Sequence, residues 1–376
     1  MTMKNLFEYL DWRGDISFDR IEPVNADYAV FCSLSYIPFD GVVPDMDEGG
    51  FVPLGDAAGK VLKRMRKKGC DTKYHLPEDE QLLESVGRTV RYGELKAGYY
   101  VNIFNPEKQE QFSAVTFLLP NGDIVVTFRG TDGTLIGWKE DFNMGFMDTL
   151  PSQEDAVRYI ERLAQDNNGN IYLCGHSKGG NLAMYGAAFV TRDVQERIIA
   201  VRSLDGPGFK KKVADRRGFT RMTDRMETFM PQSSIVGLLL EHKEKNRIIH
   251  SFAKGRKQHD IYTWSIMGGD FDEEEELSES SVRVNKAING WITGMSDEKR
   301  MILTDGIFEI VEATQAETLE ELFEAKKMFA VMKSLGRMDE EKKELIVETG
   351  RIIRASLKKD NTKKTGSPKK TKNNGK

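Results

Sequence analysis

Ile171-Tyr172-Leu173-Cys174-Gly175-His176-Ser177-Lys178-Gly179-Gly180-Asn181-Leu182-Ala183 changes character twice in a short distance. The apolar run Ile171 to Cys174, entered through the turn signal Asn168-Gly169, has the length of a buried strand. A helix is expected from Lys178 to about Arg192. Its early face, Gly179, Gly180, Ala183 and Ala187, is small enough to lie close against a sheet. A G-x-S-x-G pattern alone is weak, but between a strand and a helix it has the setting of a nucleophile elbow. There the glycines tolerate a sharp turn and the serine hydroxyl is held out beyond the strand. In that setting the Lys178 amide, at the helix N-terminus, faces a developing oxyanion with help from the helix dipole. The G-x-x-x-x-G-K-[ST] pattern of a phosphate loop is absent.

Strand and helix signals alternate on both sides of this stretch. Phe112 to Leu119, the turn Asn121-Gly122 and Asp123 to Arg129 read as a hairpin. Ser152 to Asp166 has apolar residues at helical spacing behind Ser-x-x-Asp, which resembles a capping box. Ile198 to Leu204 and Arg247 to Phe252 read as further strands, and Asp27 to Ile37 as a helix. This order predicts an α/β architecture, a mostly parallel sheet with helices on both faces, and the elbow within it is the setting of the α/β-hydrolase fold. After Trp291 the composition shifts to Glu, Lys, Leu, Met and Ala, with Ile302, Ile307, Ile310, Leu319, Leu322, Phe323 and Met328 at helical spacing. The expected organisation is a hydrolase domain over 1–295, with a mixed segment 1–110 and a catalytic core 111–270. A helical extension over 296–357 and a disordered Lys-rich tail over 358–376 complete it.

The 376 residues are 39% hydrophobic and 30% charged, enough to bury a sizeable core. The net charge of −4 hides an asymmetry: residues 354–376 carry +8 and the rest −12. An acidic body is a poor general binder of nucleic acid, so no nucleic-acid partner is expected. The basic tail leaves room for weak peripheral contact with an anionic membrane. Asp270 to Glu276 holds six acids in seven residues but lacks the spacing of a calcium loop, and reads as a solvated loop. The N-terminal stretch is interrupted by charges and no apolar run approaches a membrane span, so a cytoplasmic location is expected. Cys32, Cys70 and Cys174 form no CxxC pair, which suggests neither a disulfide framework nor a zinc cage.

A serine nucleophile needs a base. His75 precedes Ser177, against the Ser, acid, His order of such folds, and His176 lies in the elbow itself. His242 sits at an apparent helix end and His250 inside an apolar strand. His259 lies in the polar loop Ala253 to Asp260, where it can reach the sheet's C-terminal edge, and is the expected base. Asp205 ends a strand in a Gly-Pro-Gly turn and is the expected acid. Asp260 adjoins His259 in sequence, which makes an orienting contact awkward.

Phe128-Arg129-Gly130-Thr131, with Trp138 and Asp141-Phe142 behind it, and Gly175-His176-Ser177-Lys178-Gly179-Gly180 resemble the paired motifs of the class 3 lipase branch of α/β-hydrolases. The resemblance implies that Thr131 contributes to the oxyanion hole and that the Trp and Asp buttress its loop. Tyr9 to Asp15, Asp205-Gly206-Pro207-Gly208-Phe209 and Gln258-His259-Asp260-x-Tyr262-x-Trp264 are similar to a bacterial lipase-like family carried as a domain of unknown function. Two departures stand out. Pro231 to Val236, where class 3 lipases carry their catalytic Asp, has no acid, and Lys178 replaces the usual Leu, which argues against a long-chain triglyceride. Met144, Phe146, Met147 and Leu150 occupy the position of a lid, or serve as core.

The expected protein is thus a serine hydrolase acting on a small-molecule or lipid-like carboxylic ester through an acyl-enzyme. Ser177 is its nucleophile, His259 its base, Asp205 its acid, and the amides of Thr131 and Lys178 its oxyanion hole; no metal or cofactor is needed. The competing expectation is a non-catalytic binding or scaffold protein on the same fold.

Overall fold

Glu110–Leu118, Ile124–Phe128 and Ile171–His176 are buried along nearly their whole lengths, the pattern of strands covered on both faces. They occupy the middle of an eight-stranded sheet in which spatial order follows chain order. The strands are β1 (Phe51–Pro53), β2 (Lys96–Asn105), β3 (Glu110–Leu118), β4 (Ile124–Phe128), β5 (Ile171–His176), β6 (Ile198–Leu204), β7 (Met226–Pro231) and β8 (Lys245–Ile249). The first four pair antiparallel, and every pairing from β4 to β8 is parallel. This computed structural model describes residues 4–67, 76–131, 135–314 and 325–358.

Alternation along the central strands builds two cores. Val125, Tyr172 and Cys174 face the helices Asn25–Leu34, Leu54–Met65 and Pro77–Arg88. Ile124, Val126, Phe128, Ile171 and Leu173 face Pro151–Asp166 and the elbow helix Lys178–Phe189. Parallel strands joined by helices on both faces of the sheet, with an elbow after β5, define the α/β-hydrolase fold, as expected. Among the described residues the sheet is followed by the helices Glu279–Thr293, Asp297–Thr314, Ala325–Leu335 and Glu340–Lys358, the first of them beginning well before Trp291.

Several local expectations shift. The helix expected over Asp27 to Ile37 spans Asn25–Leu34, and the strand expected over Arg247 to Phe252 ends at Ile249, leaving His250 outside it. Ser152 is not the cap of its helix. Leu150 is, with its N–H bonded to Gln153 Oε1 at 3.0 Å, because Pro151 has no N–H and suits the first turn. The sequence patterns also passed over β2 and β7. In β7 the charged Glu227 interrupts the apolar run, yet it pairs with Arg202 and Lys245 on the neighbouring strands. The acidic run is partly anchored, since Asp270 and Glu273 both pair with Arg247 and Glu274 meets His250. Cys70, His75, Leu319, Leu322, Phe323 and the tail 359–376 lie outside the described residues. No helix among the described residues is long and apolar enough to cross a membrane.

The Tyr9 to Asp15 motif has an architectural role. Asp27 is fully buried and accepts from Tyr9 Oη (2.7 Å), Arg91 Nε (2.8 Å) and Nη2 (2.5 Å), the Val24 amide (2.8 Å) and the Tyr92 hydroxyl. Arg91 also donates to the carbonyls of Ile16, Ile21 and Glu22, which welds the N-terminal segment to the first core. Arg91→Met strands the Asp27 charge in that core. It should cost about 3–5 kcal/mol in urea unfolding, with an unchanged denaturant slope.

Candidate active site

Ser177 has φ 56° and ψ −128°, a region that costs a side-chain-bearing residue about 1–3 kcal/mol. The neighbours over-determine it. Its N–H donates to Leu204 O on β6 (2.9 Å), and its carbonyl accepts from the Gly180 amide (3.0 Å). A methyl at Gly175 would lie 2.1 Å from the Gly179 carbonyl oxygen, and one at Gly179 would lie 2.1 Å from that of Phe128. The glycines of the motif therefore let the turn close, and the serine is held above the ends of β4, β5 and β6.

Asp205 follows β6 and is also at positive φ (50°). Its N–H is held by Phe229 O of β7 at 2.7 Å. The carboxylate is buried: Oδ1 accepts from Ser234 Oγ (2.5 Å) and the Gly237 amide (3.1 Å), and Oδ2 lies 2.6 Å from His259 Nδ1. Because a carboxylate accepts only, Nδ1 carries the proton and His259 Nε2 is left with its lone pair. Among the described residues neither that nitrogen nor the Ser177 hydroxyl has a hydrogen bond, as is common in sites without substrate. Asp260 does not touch the imidazole. Its Oδ1 accepts from the Tyr262 amide at 3.0 Å, and burial raises its pKa.

Three supporting residues were not singled out from sequence. His176 Nε2 donates to the His259 carbonyl (2.8 Å), so its Nδ1 must accept from Tyr36 Oη (2.8 Å). Its ring packs on that of His259 with centroids 4.5 Å apart, and burial, with the neighbouring His259, holds its pKa well below the ordinary imidazole range. His176 is thus a neutral buttress. Asn181 Nδ2 donates to the carbonyls of Pro207 (3.1 Å) and Gly208 (2.9 Å), tying the Asp205 turn to the elbow helix, while its Oδ1 accepts from Gln153 Nε2 (2.8 Å). A polar residue inside the apolar face that follows Gly179-Gly180 was the available signal for Asn181. Tyr36 had none, since only the tertiary fold brings it to His176.

The segment after β4 lies across the elbow. A methyl at Gly130 would be 2.6 Å from the His176 carbonyl oxygen and 3.0 Å from Ser177 Cβ, so the backbone leading to Thr131 passes beside the serine. Thr131 Oγ1 donates to Asp141 Oδ2 at 2.6 Å. Burial pushes the Asp141 pKa up to about 6, opposed by Lys178 and by the Thr131 bond, and among the described residues its Oδ1 has no partner. Lys178 does not point at an acyl chain. Its ammonium is buried beneath the elbow, 2.8 Å from Glu140 Oε2 and from the Gln111 carbonyl, so its polarity carries no message about triglyceride.

Of the other described histidines, His242 meets Glu244 and His250 meets Glu274, each at 2.6 Å. The stretch in the lid position is divided: Met144 and Leu150 are buried and Met147 is partly exposed. It is pinned by Arg300 on the Gly145 carbonyl (2.6 Å) and Lys210 on that of Phe146 (2.7 Å). Among the described residues no group of three or more His, Cys, Asp or Glu side chains is placed to hold a metal ion.

The parallel strands, the helices covering them and the elbow after β5 make this an α/β-hydrolase-type fold. The chain belongs to the Mbeg1-like family, whose model matches residues 86–309, more than half of the chain. It is similar to M37 lipase, with 16% identity, TM-score 0.36 and coverage of 56% of this chain and 68% of that one. It is also similar to the native Rhizomucor miehei lipase propeptide complex, with 12% identity, TM-score 0.35 and coverage of 59% and 67%. No curated protein matches it.

Asp141 gives a pH signature. With its pKa raised from 3.8 to about 6, the folded chain holds this proton more tightly than the unfolded one. The contribution of Asp141 to stability therefore declines as pH rises from about 4 to about 6 and is level above that. Relative to wild type, Asp141→Asn should gain about 2–3 kcal/mol across this window in paired urea titrations. A flat difference would show that Asp141 ionises as freely as in water.

Proposed function

We propose that the protein is a serine hydrolase that cleaves a carboxylic ester, or a lipid-like acyl substrate, through an acyl-enzyme. The observation that carries this reading is the 2.6 Å contact of His259 Nδ1 with the buried Asp205, in the loop packed against the strained Ser177 elbow. Ser177 Oγ attacks the acyl carbonyl while His259 Nε2 takes its proton, and Asp205 stabilises the imidazolium that results. The tetrahedral oxyanion is held by the amides of Thr131 and Lys178, the latter at the N-terminus of the elbow helix. Collapse breaks the ester C–O bond, and the proton on Nε2 leaves with the alcohol. Water, deprotonated by the same nitrogen, then attacks the acyl-serine and returns Ser177 with release of the acid. The half-buried serine and an imidazole whose Nδ1 is held by Asp205 support this reading.

A fluorophosphonate probe tests it. Full-length protein should be labelled stoichiometrically, and labelling should vanish in Ser177→Ala. Asp205→Asn, which favours the wrong imidazole tautomer, should lower turnover of a small soluble ester by about 10²–10⁴, while Asp260→Asn costs less than tenfold. A folded wild-type protein that takes no label would point to the scaffold role instead.

A further inference from the structure

The ammonium of Lys178 and the carboxylate of Glu140 are both essentially inaccessible, at 1% and 0% side-chain exposure. A buried ion pair is seldom a net source of stability, so its position is the informative feature. Lys178 is the residue after Ser177, and in the reading above its amide is one oxyanion donor. Its side chain turns back under the elbow to Glu140, in the helix Leu135–Asn143 that follows the other donor, Thr131. Glu140 is fixed on three sides: by Lys178 Nζ (2.8 Å), by the Gln111 amide at the start of β3 (3.1 Å) and by the Ser152 amide (3.2 Å). Its neighbour Asp141 grips the Thr131 hydroxyl at 2.6 Å. One continuous chain of contacts thus joins the Lys178 side chain to Thr131 through Glu140 and Asp141. Main-chain bonds from β3 and from the next helix keep it from sliding.

We infer that Lys178 is a positioning residue for the oxyanion hole: its amide is one donor, and its buried bond to Glu140 fixes how far the other donor stands from it. The inference rests on the serine hydrolase reading. Separating Glu140 from Lys178 strands two charges away from water, so the spacing of the donors is set before substrate binds and does not depend on substrate to create it. The ammonium is taken up by Glu140 and the Gln111 carbonyl and is not offered to the reacting groups. Its effect belongs to the transition state, where the oxyanion forms, and not to ground-state binding.

The test is a paired substitution, Lys178→Met with Glu140→Gln. It leaves no unpaired buried charge, and the amide oxygen at position 140 can still accept one of the two main-chain N–H bonds, from Gln111 or Ser152, that the carboxylate accepts. The variant should fold, as judged by near-UV circular dichroism and a cooperative melt, and should still take the fluorophosphonate label. On a small soluble ester its kcat should fall about tenfold to a hundredfold, less than the loss of a whole donor, with KM within about threefold. In a Thr131→Val background, where the hydroxyl tether to Asp141 is already cut and the amide kept, the same pair of changes should cost less than threefold. A well-folded variant with unchanged kcat, or losses that simply multiply in the two backgrounds, overturns the inference while leaving the hydrolase reading intact. If the double variant does not fold, Glu140→Gln alone decides, and an unchanged kcat there overturns it as well. A wild-type protein that takes no label brings down the hydrolase reading and this inference with it.

Discussion

Ser177 at positive φ is the constraint on which the rest of the molecule depends. A side chain enters that region only when the surroundings leave no cheaper choice. Here the surroundings are the ends of three strands: the serine amide is bound by β6, the turn is roofed by the end of β4, and the helix that follows starts at once from β5. The strain is repaid by two extensive apolar cores, one on each face of the sheet. Asp205, one strand over, repeats the device. It too is at positive φ and is held by the neighbouring strand, so two strained residues from adjacent parallel strands present their side chains at one edge.

Three of the buried charged sites are compensated in different ways. Asp27 is surrounded by five donated hydrogen bonds, two of them from Arg91, and fastens the N-terminal segment to the sheet. Glu140 and Lys178 neutralise one another below the elbow. Asp205 is satisfied on one oxygen by Ser234 and Gly237, leaving the other to His259. Desolvation makes each of these arrangements directional, because a displaced partner leaves a charge that water cannot reach. The same physics serves architecture at Asp27 and the orientation of an imidazole at Asp205.

The helices after the sheet belong to this economy of support. Asn289 and Asn285 in Glu279–Thr293 both donate to the Leu238 carbonyl, and Ser281 to that of Ser234, so this helix steadies the loop that satisfies Asp205. Asp297–Thr314 meets the helix beyond Thr131, where Phe308 packs edge-on against Phe142 and Lys139 faces Asp305. These contacts brace both flanks of the site from outside the sheet, which gives the helices a structural role whatever else they do.

The strand, turn and helix around Ser177 were legible in the sequence because each is local: an apolar run of strand length, glycines where side chains cannot fit, and small residues on the first turns of a helix. The parallel sheet followed from the alternation of such units, and His259 stood out as the histidine in a polar loop beyond a strand, after Ser177 in the chain. The partner that His259 takes was not local. Asp205 and Asp260 were both acids at turns, and the sequence favoured Asp205 only because Asp260 adjoins His259 too closely to orient it easily. Only the register of β6 against β7, together with Ser234 and Gly237, points the Asp205 carboxylate at the imidazole, while Asp260 turns to cap its own short helix. Lys178 shows the same limit from the other side. Its place in the motif was plain, but a lysine side chain is long enough to face solvent, substrate or core. The direction it takes was decided by Glu140, thirty-eight residues earlier in the chain and brought beneath it by packing alone.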